Sequence, residues 1–365
     1  MKVIFITREG YELSGARVRC YNFARELRGH GIDASVFSFV EHLGAMYGEK
    51  EFGMSLLYKL WLNARSLGKF LKEDAQTIFI LQRFNYHALA PLVAAGLKKH
   101  RVIFDCDDWN IREDPVYHFG FYPSSKMEYA TRLVARRAVR CIAASHYLQD
   151  YLSAFNPCVS LLATGVDTQK FFPRSHEDRA EFVFSWVGTA YHEDMGKNLD
   201  FLLSCFDPLA DRYGHVILSL AGEGKYFELF CRSIELHRHR ARIRVSGWIP
   251  ADTMPGYLAD VDVGLLPLVR NTKFNLSKSP TKLFEYMAMG LPSIASDTGE
   301  AGFILKDGQT GFLARDRQGF ISAMERLLKD ASLRRDMGRR ARQDAEQRFS
   351  LKVLGGQLVA LLKDM

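Results

Sequence analysis

Short apolar runs alternate with longer amphipathic stretches along the whole 365-residue chain. This alternation predicts parallel sheets with helices on both faces. In the first half, Val3–Thr7 reads as a β-branched strand, Arg8–Gly15 as a polar turn, and Arg17–Arg28 as a helix closed by Gly29 and Gly31. Further strands are expected at Ser35–Val40, Thr77–Leu81, Val102–Asp105, Cys141–Ala144 and Val159–Ala163. A second run has strands at Phe182–Val187, Val216–Ala221, Ile243–Val245, Val263–Leu266 and Pro292–Ala295. Between the runs lies a segment from Gly165 to Pro173 that leads into Arg174 and Ser175, a hinge-like composition, so a domain boundary is expected near residue 173.

Length fits two domains, and 47% hydrophobic with 25% charged residues describes an ordinary globular protein. The six cysteines, at 20, 106, 141, 158, 205 and 231, show no C-x-x-C spacing. They suggest neither a zinc site nor a disulfide framework, and a reducing cytoplasm is the expected location. Met1–Thr7 is too short for a secretory apolar region, and no apolar run approaches the roughly twenty residues of a membrane span, so neither export by the usual route nor a span is expected. Net charge is +7, of which +5 falls in residues 1–172. That excess suits an anionic surface or substrate, or ordinary solubility. Leu56–Lys72 and Lys126–Arg140 read as basic amphipathic helices. Such helices either lie on an anionic bilayer, as a peripheral membrane protein would, or pack one face on the sheet, which is the commoner arrangement. No nucleic-acid motif accompanies the charge, so nucleic acid is not an expected partner.

The segment with the most chemistry runs from Asn275 to Asp297, a polar loop, a helix and a short apolar strand. Ser279 is expected as N-cap and Pro280 at the first helical position, with Leu283, Phe284, Met287 and Ala288 as the buried face and Gly290 ending the helix. First-turn amides, their partial positive charge, and Lys278 and Lys282 make a site for phosphate, and Glu285 can accept two hydrogen bonds from a vicinal diol such as ribose. The plainer alternative is a solvated i,i+3 pair of Lys282 and Glu285.

The wording S-P-T-K-L-F-E-Y-M-A-M-G-L-P-S-I-A-S, residues 279–296, resembles the donor-nucleotide segment of GT-B glycosyltransferases of retaining family 4, and the resemblance extends over most of the chain. It implies an α/β GT-B fold: two Rossmann-like doubly wound parallel-sheet domains facing across a cleft. The acceptor-binding domain would be residues 1–173 and the nucleotide-sugar domain 174–348, with a C-terminal helix, 349–365, crossing back to the first. It also implies a hexosyltransferase, working on a UDP- or GDP-sugar and a glycan, lipid or small-molecule hydroxyl, with retention at the anomeric carbon and without a cofactor or metal. The enzyme would be cytoplasmic or peripheral at the inner face of the membrane. Rival classes are an epimerase of the same fold and a non-catalytic nucleotide-sugar-binding subunit.

Residue by residue, the resemblance implies a donor site of Gly188, Thr189, Lys197, Gly222, Gly224, Trp248 and Ile249, together with Ser277, Lys278, Ser279, Pro280, Thr281, Lys282, Leu283 and Glu285. Lys197 and Glu285 would be the chief catalytic contributors. Thr189 stands where the family often has Arg, so Arg270, Lys273 or Lys278 is needed to supply a second cation. Ser277 stands where the family has the first Glu of a Glu-x7-Glu pair. In the first domain, Gly10 and Gly15 would let the loop after the first strand approach the donor diphosphate, Ser14 would cap the following helix, and Tyr11, Ser14 and Arg17 would face the acceptor. Asp107 and Asp108, after the Val102–Asp105 strand, would meet the acceptor hydroxyl as catalytic residues where many members carry His. His118 and His87 are candidate substitutes. The Asp105-Cys-Asp107 spacing resembles a metal motif of the other glycosyltransferase fold, but no upstream nucleotide loop of that fold accompanies it.

Overall fold

The computed structural model describes residues 1–47, 53–109, 117–118, 122–123, 126–173, 180–191 and 193–365. They form two compact units. One contains Met1–Thr164, Ser277–Ser279 and Leu351–Met365, the other Gly165–Leu276 and Pro280–Ser350.

The first unit is built on six parallel strands: β1 (Lys2–Thr7), β2 (Asp33–Ser38), β3 (Ile78–Gln82), β4 (Arg101–Cys106), β5 (Arg140–Ala143) and β6 (Val159–Leu161), in the order β2-β1-β3-β4-β5-β6. Alternate side chains of β1 serve opposite faces, as strand geometry requires. Val3 and Phe5 join a core with Phe23, Leu27, Leu354, Leu358 and Leu362. Ile4 and Ile6 join another with Leu62, Phe70, Phe79, Phe104 and Leu148. The C-terminal helix Leu351–Lys363 therefore covers one face of the first sheet.

Two expectations need correction. The chain passes between units at Gly165, not near residue 173: Val166 bridges to Ser350, and the carbonyls of Thr168 and Phe171 accept hydrogen bonds from Arg342, which tie this strip to the second unit. The helix after β1 starts at Ser14, with Leu13 in the cap position, so Ser14 does not cap it.

That helix contains a wide π turn, Arg17–Tyr21, which turns Val18, Arg19 and Cys20 inward together. Arg19 is 1% exposed. Its Nε and Nη2 donate to the two oxygens of Asp105 at 3.1 and 2.5 Å, and its Nη1 donates to the carbonyls of Leu162 and Ala163 at 2.8 and 3.0 Å. One guanidinium thus joins the helix, the end of β4 and the chain leaving β6.

The second unit repeats the plan with β7 (Phe182–Thr189), β8 (Val216–Glu223), β9 (Ile243–Ser246), β10 (Val263–Leu266), β11 (Ser293–Ser296) and β12 (Gly311–Ala314), in the order β9-β8-β7-β10-β11-β12. The direction of winding reverses between β7 and β10, the position where such sheets bind ligands beyond their carboxyl ends. Trp186, Phe184 and Phe206 anchor the core with Phe230, Phe320 and Leu327.

Breaking a buried ion pair leaves a stranded charge, which costs about 3–5 kcal/mol, whereas removing both partners costs less. Arg19→Met should therefore lower the urea-unfolding free energy by about that amount, and Arg19→Met with Asp105→Leu should recover part of it. Equal losses in the single and double variants would show that the pair is not what holds these three segments.

Candidate functional site

In the second unit, the carboxyl ends of β7 and β8 approach so closely that a Cβ on Gly222 would lie 2.0 Å from the Gly188 carbonyl oxygen. Only glycine allows this spacing. A Cβ on Gly188 would lie 2.6 Å from Lys282 Nζ, so the bare backbone there makes room for the ammonium, which sits 5.4 Å from the centre of the Trp186 ring. Trp186 is held from beneath by Phe227, stacked at 6.1 Å between ring centres.

Lys282 belongs to the helix Thr281–Ala288, whose Leu283, Phe284, Tyr286, Met287 and Ala288 are buried while Lys282 and Glu285 are half-buried. Tyr286 is set by Gly264 of β10, where an added Cβ would meet the tyrosine ring at 2.2 Å. The expected cap is corrected: Pro280 occupies the cap position with extended backbone, the helix starts at Thr281, and the Ser279 hydroxyl instead accepts from the Thr164 amide at 3.2 Å. Helix amides, an ammonium and a carboxylate one turn further on are nonetheless presented beyond β10, at the switch point.

Beside them an open cleft of about 420 Å³ is lined by Gly222, Glu223, Phe227, Arg232, Gly247 and Trp248. Trp248 is 41% exposed and Ile249 half-buried, so this tryptophan is not a core residue. Gly224 starts the helix Lys225–Ser233 with φ 112°. Lys197 pairs with Glu193 at 2.6 Å on the surface of one helix, and Arg270 pairs with Asp194 at 2.7 Å. Exposed pairs of this kind are worth at most about 1 kcal/mol and exchange readily for a stronger anion. Thr189 and Lys273 are exposed.

In the first unit, the acidic run at the end of β4 divides into three fates. Asp105 is held by Arg19. Asp107, expected to meet the acceptor, is buried and gripped by Arg83, whose Nε and Nη2 donate at 2.6 and 2.9 Å, and by Gln82 Nε2 at 2.9 Å. Burial alone would raise its carboxyl, but Arg83, with Arg19 and Gln82, brings it below the usual carboxylate range. Its lone pairs are committed to positioning, which corrects its assignment as an acceptor-facing catalytic residue. Asp108 is half-buried and accepts from the Trp109 amide at 2.9 Å. Burial pushes its carboxyl up to about 6, against the opposing pull of Arg83 and Lys278.

Arg83 holds more than Asp107. Its backbone takes φ 54°, a left-handed conformation costly for arginine, and its Nη1 lies 3.6 Å from Glu9. The space that Gly15 was expected to open to a ligand is filled by Arg83 and Glu9, 2.5 and 2.9 Å from a would-be Cβ. Gly10 lies against Glu41, whose carboxylate accepts from the Tyr11 amide at 2.7 Å and from the Tyr21 hydroxyl at 2.5 Å. Tyr11 and Ser14 are exposed, whereas Arg17 turns back onto the Glu12 carbonyl at 3.0 Å. His87 is buried, donates through Nε2 to the Gln82 carbonyl, and is held neutral by burial, its pKa pushed down to about 3. It is a core residue, not a stand-in for an acceptor-side His. His118 lies in the short strand Tyr117–His118, and its side chain is outside the described residues.

Ser277 is fully buried: its hydroxyl accepts from the Trp109 amide at 3.1 Å, and its carbonyl accepts from Ser145 Oγ at 2.7 Å. That structural role corrects its assignment to donor binding. Lys278, half-buried, contributes its charge beside Asp108. Arg19, Gln82, Arg83 and Glu41 escaped sequence reasoning, because a polar residue next to a strand or helix looks the same whether solvated or buried. The available hint was Arg19 lying between Val18 and Cys20, in line with the apolar Phe23 and Leu27.

The raised Asp108 pKa has a definite sign. Between its ordinary value near 4 and about 6, the folded chain holds a proton that the unfolded chain releases, so stability falls as pH rises through that window. Asp108→Asn should match wild type in urea unfolding near pH 4 and exceed it at pH 7.5. A difference that does not change with pH would mean an ordinary carboxyl.

Residues 181–330 match the family model described as glycosyl transferases group 1. Among curated proteins, the chain is 27% identical over 250 residues to a GDP-mannose-dependent alpha-(1-6)-phosphatidylinositol monomannoside mannosyltransferase of Mycolicibacterium smegmatis, covering 63% of this chain and 65% of that protein. It is 29% identical over 150 residues to N-acetyl-alpha-D-glucosaminyl L-malate synthase of Bacillus anthracis, 40% of this chain and 37% of that one. The chain thus spans less than two thirds of these relatives' length. Among solved structures, Anabaena Alr3699/HepE in complex with UDP superimposes with TM-score 0.72 at 17% identity, with all of both chains covered. Sucrose-phosphate synthase of Thermosynechococcus elongatus gives TM-score 0.75 at 14% identity, covering 100% of this chain and 99% of that one. With two parallel six-stranded sheets the chain has the GT-B fold, and residues 181–330, in its second unit, carry the sequence pattern of the glycosyl transferases group 1 family.

Proposed function

We propose that the chain moves a hexosyl group from a nucleoside-diphosphate sugar, UDP- or GDP-linked, to a hydroxyl of a glycan, lipid or small-molecule acceptor, with retention at the anomeric carbon. The observation that carries this reading is Lys282 Nζ beside the bare backbone of Gly188, at the start of the helix that also carries Glu285. In this reading the diphosphate lies against Lys282 and the Thr281 end of the helix, with Lys197 released from Glu193 as a second cation. Glu285 takes the ribose hydroxyls. The nucleobase enters the cleft at Gly247, Trp248 and Ile249.

The bond from the anomeric carbon to the phosphate oxygen breaks as the bond to the acceptor oxygen forms on the same face. The acceptor proton passes to the departing phosphate oxygen. The protein supplies positive charge where negative charge develops, and holds the reactants in place. On the acceptor side, Asp108 orients the attacking hydroxyl. The UDP bound in the Anabaena structure and the GDP-mannose named for the mycobacterial relative select the donors to try first.

Charged hydrogen bonds are worth roughly 1.5–3 kcal/mol each, so Glu285→Gln should lower kcat/KM about tenfold to a hundredfold. With a 2′-deoxyribose donor the same substitution should cost much less, because one of the bonds is already missing. Additive losses, or nucleotide affinity unchanged in Glu285→Gln, would remove this helix from the donor site. Because lysines and helix amides supply the charge, activity should survive EDTA. Loss on chelation, restored by Mg²⁺ or Mn²⁺, would show that a metal is needed.

A further inference from the structure

The helix Leu56–Phe70 buries Leu62, Ser66 and Phe70 against the first sheet, yet it also has a second apolar face turned to solvent. Leu56 and Leu57 are 71% and 78% exposed, Leu60 and Trp61 45% and 47%. Its neighbour, Leu89–Lys98, is pinned to it by Asn63, whose Oδ1 accepts from the Ala90 amide at 2.9 Å and whose Nδ2 donates to the Tyr86 carbonyl at 2.8 Å. That second helix exposes Leu89, Val93 and Leu97. Soluble surfaces scatter such residues singly, whereas two adjoining helices that both present large apolar side chains mark a surface that meets something.

Charge identifies the partner. From Gly53 to Lys72, every charged side chain is basic: Lys59, Arg65, Lys69 and Lys72. From Phe84 to Phe104, Lys98, Lys99 and Arg101 are likewise unopposed by any acid in the segment. Arg65 stacks over Trp61 at 4.6 Å, and Tyr58 stacks on the other partner of that pair with ring centres 5.6 Å apart, so the exposed indole is held rigid with a cation beside it. A leucine and tryptophan face on helices whose own charged side chains are all lysine or arginine is the pattern of an element lying in the interface of an anionic bilayer. The other basic helix, Lys126–Arg137, lacks this face: Arg132 is paired with Glu128, and Arg132 and Arg136 both lie over Phe155.

We propose that the Leu56–Phe70 and Leu89–Lys98 helices form a docking face for an anionic phospholipid bilayer, with the leucines and Trp61 inserted and the lysines and arginines at the headgroups. This rests on the lipid among the acceptors proposed above, but it is tested without any donor or turnover, so it stands or falls separately.

The full chain is floated with vesicles of phosphatidylcholine alone or with phosphatidylglycerol, at low and high salt. Flotation is expected with the anionic vesicles only, and should weaken with salt. Arg65→Glu and Lys69→Glu should each weaken partitioning about fivefold or more, from about 1 kcal/mol per basic residue. Leu57→Glu should weaken it further still, since it removes an inserted side chain. Arg137→Glu, on the other helix, should leave flotation unchanged. These positions are exposed, and an unchanged thermal melt confirms that each variant folds.

The proposal is overturned by absence of flotation at low salt, by equal loss in Arg137→Glu, or by Leu57→Glu floating as well as wild type. It is also overturned if Leu57→Glu instead dissociates a soluble dimer, which would make the face an interface between copies of this chain.

Discussion

A single buried guanidinium organises the first unit. Arg19 gives four hydrogen bonds, two to a carboxylate at the end of β4 and two to carbonyls in the chain leaving β6, and it originates on the helix after β1. Each charge has been removed from water, so neither tolerates loss of the other, and the three segments are held in one register. A second guanidinium follows the same logic one layer outward: Arg83 grips Asp107 and approaches Glu9. The carboxyl end of this sheet is therefore built from charge pairs rather than apolar packing, and what lies beyond it inherits their geometry.

The acidic run at the end of β4 shows how position along a chain converts identical chemistry into different behaviour. Asp105, Asp107 and Asp108 differ by a few ångströms of depth and by which arginine reaches them. The first two are gripped by arginines. The third, with a backbone amide for its hydrogen bond and two cations at longer range, holds its proton up to about pH 6. Only a carboxylate with capacity left over can serve a substrate, and in this run that is Asp108.

The second unit relies on close approach instead of buried charge. Glycines at the ends of β7 and β8 and at Gly264 of β10 remove side chains where Lys282 and Tyr286 must fit. The helix that carries Lys282 and Glu285 is seated by Leu283, Phe284 and Tyr286 beneath it, so both charged groups are directed by a packed, rigid face. Such a platform suits a polyanionic ligand whose charges must be met without rearrangement.

By itself the sequence determined the α/β class, eleven of the strands to within a few residues, the Leu351–Lys363 helix and the position of Lys282 and Glu285, because each of these follows from local periodicity and local spacing. The tertiary structure alone decided which polar residues are spent. Ser279 looks like a cap and is a hydrogen-bond acceptor for Thr164. Ser277 looks like a substrate contact and is a buried pin, and Asp107 looks catalytic and is a structural anion. It decided too that β12 closes the second sheet and that the Leu56–Phe70 helix leaves an apolar face uncovered. The physical reason is the same throughout. The partner that determines a polar group's role lies tens to well over a hundred residues away in sequence, and local spacing contains no record of it.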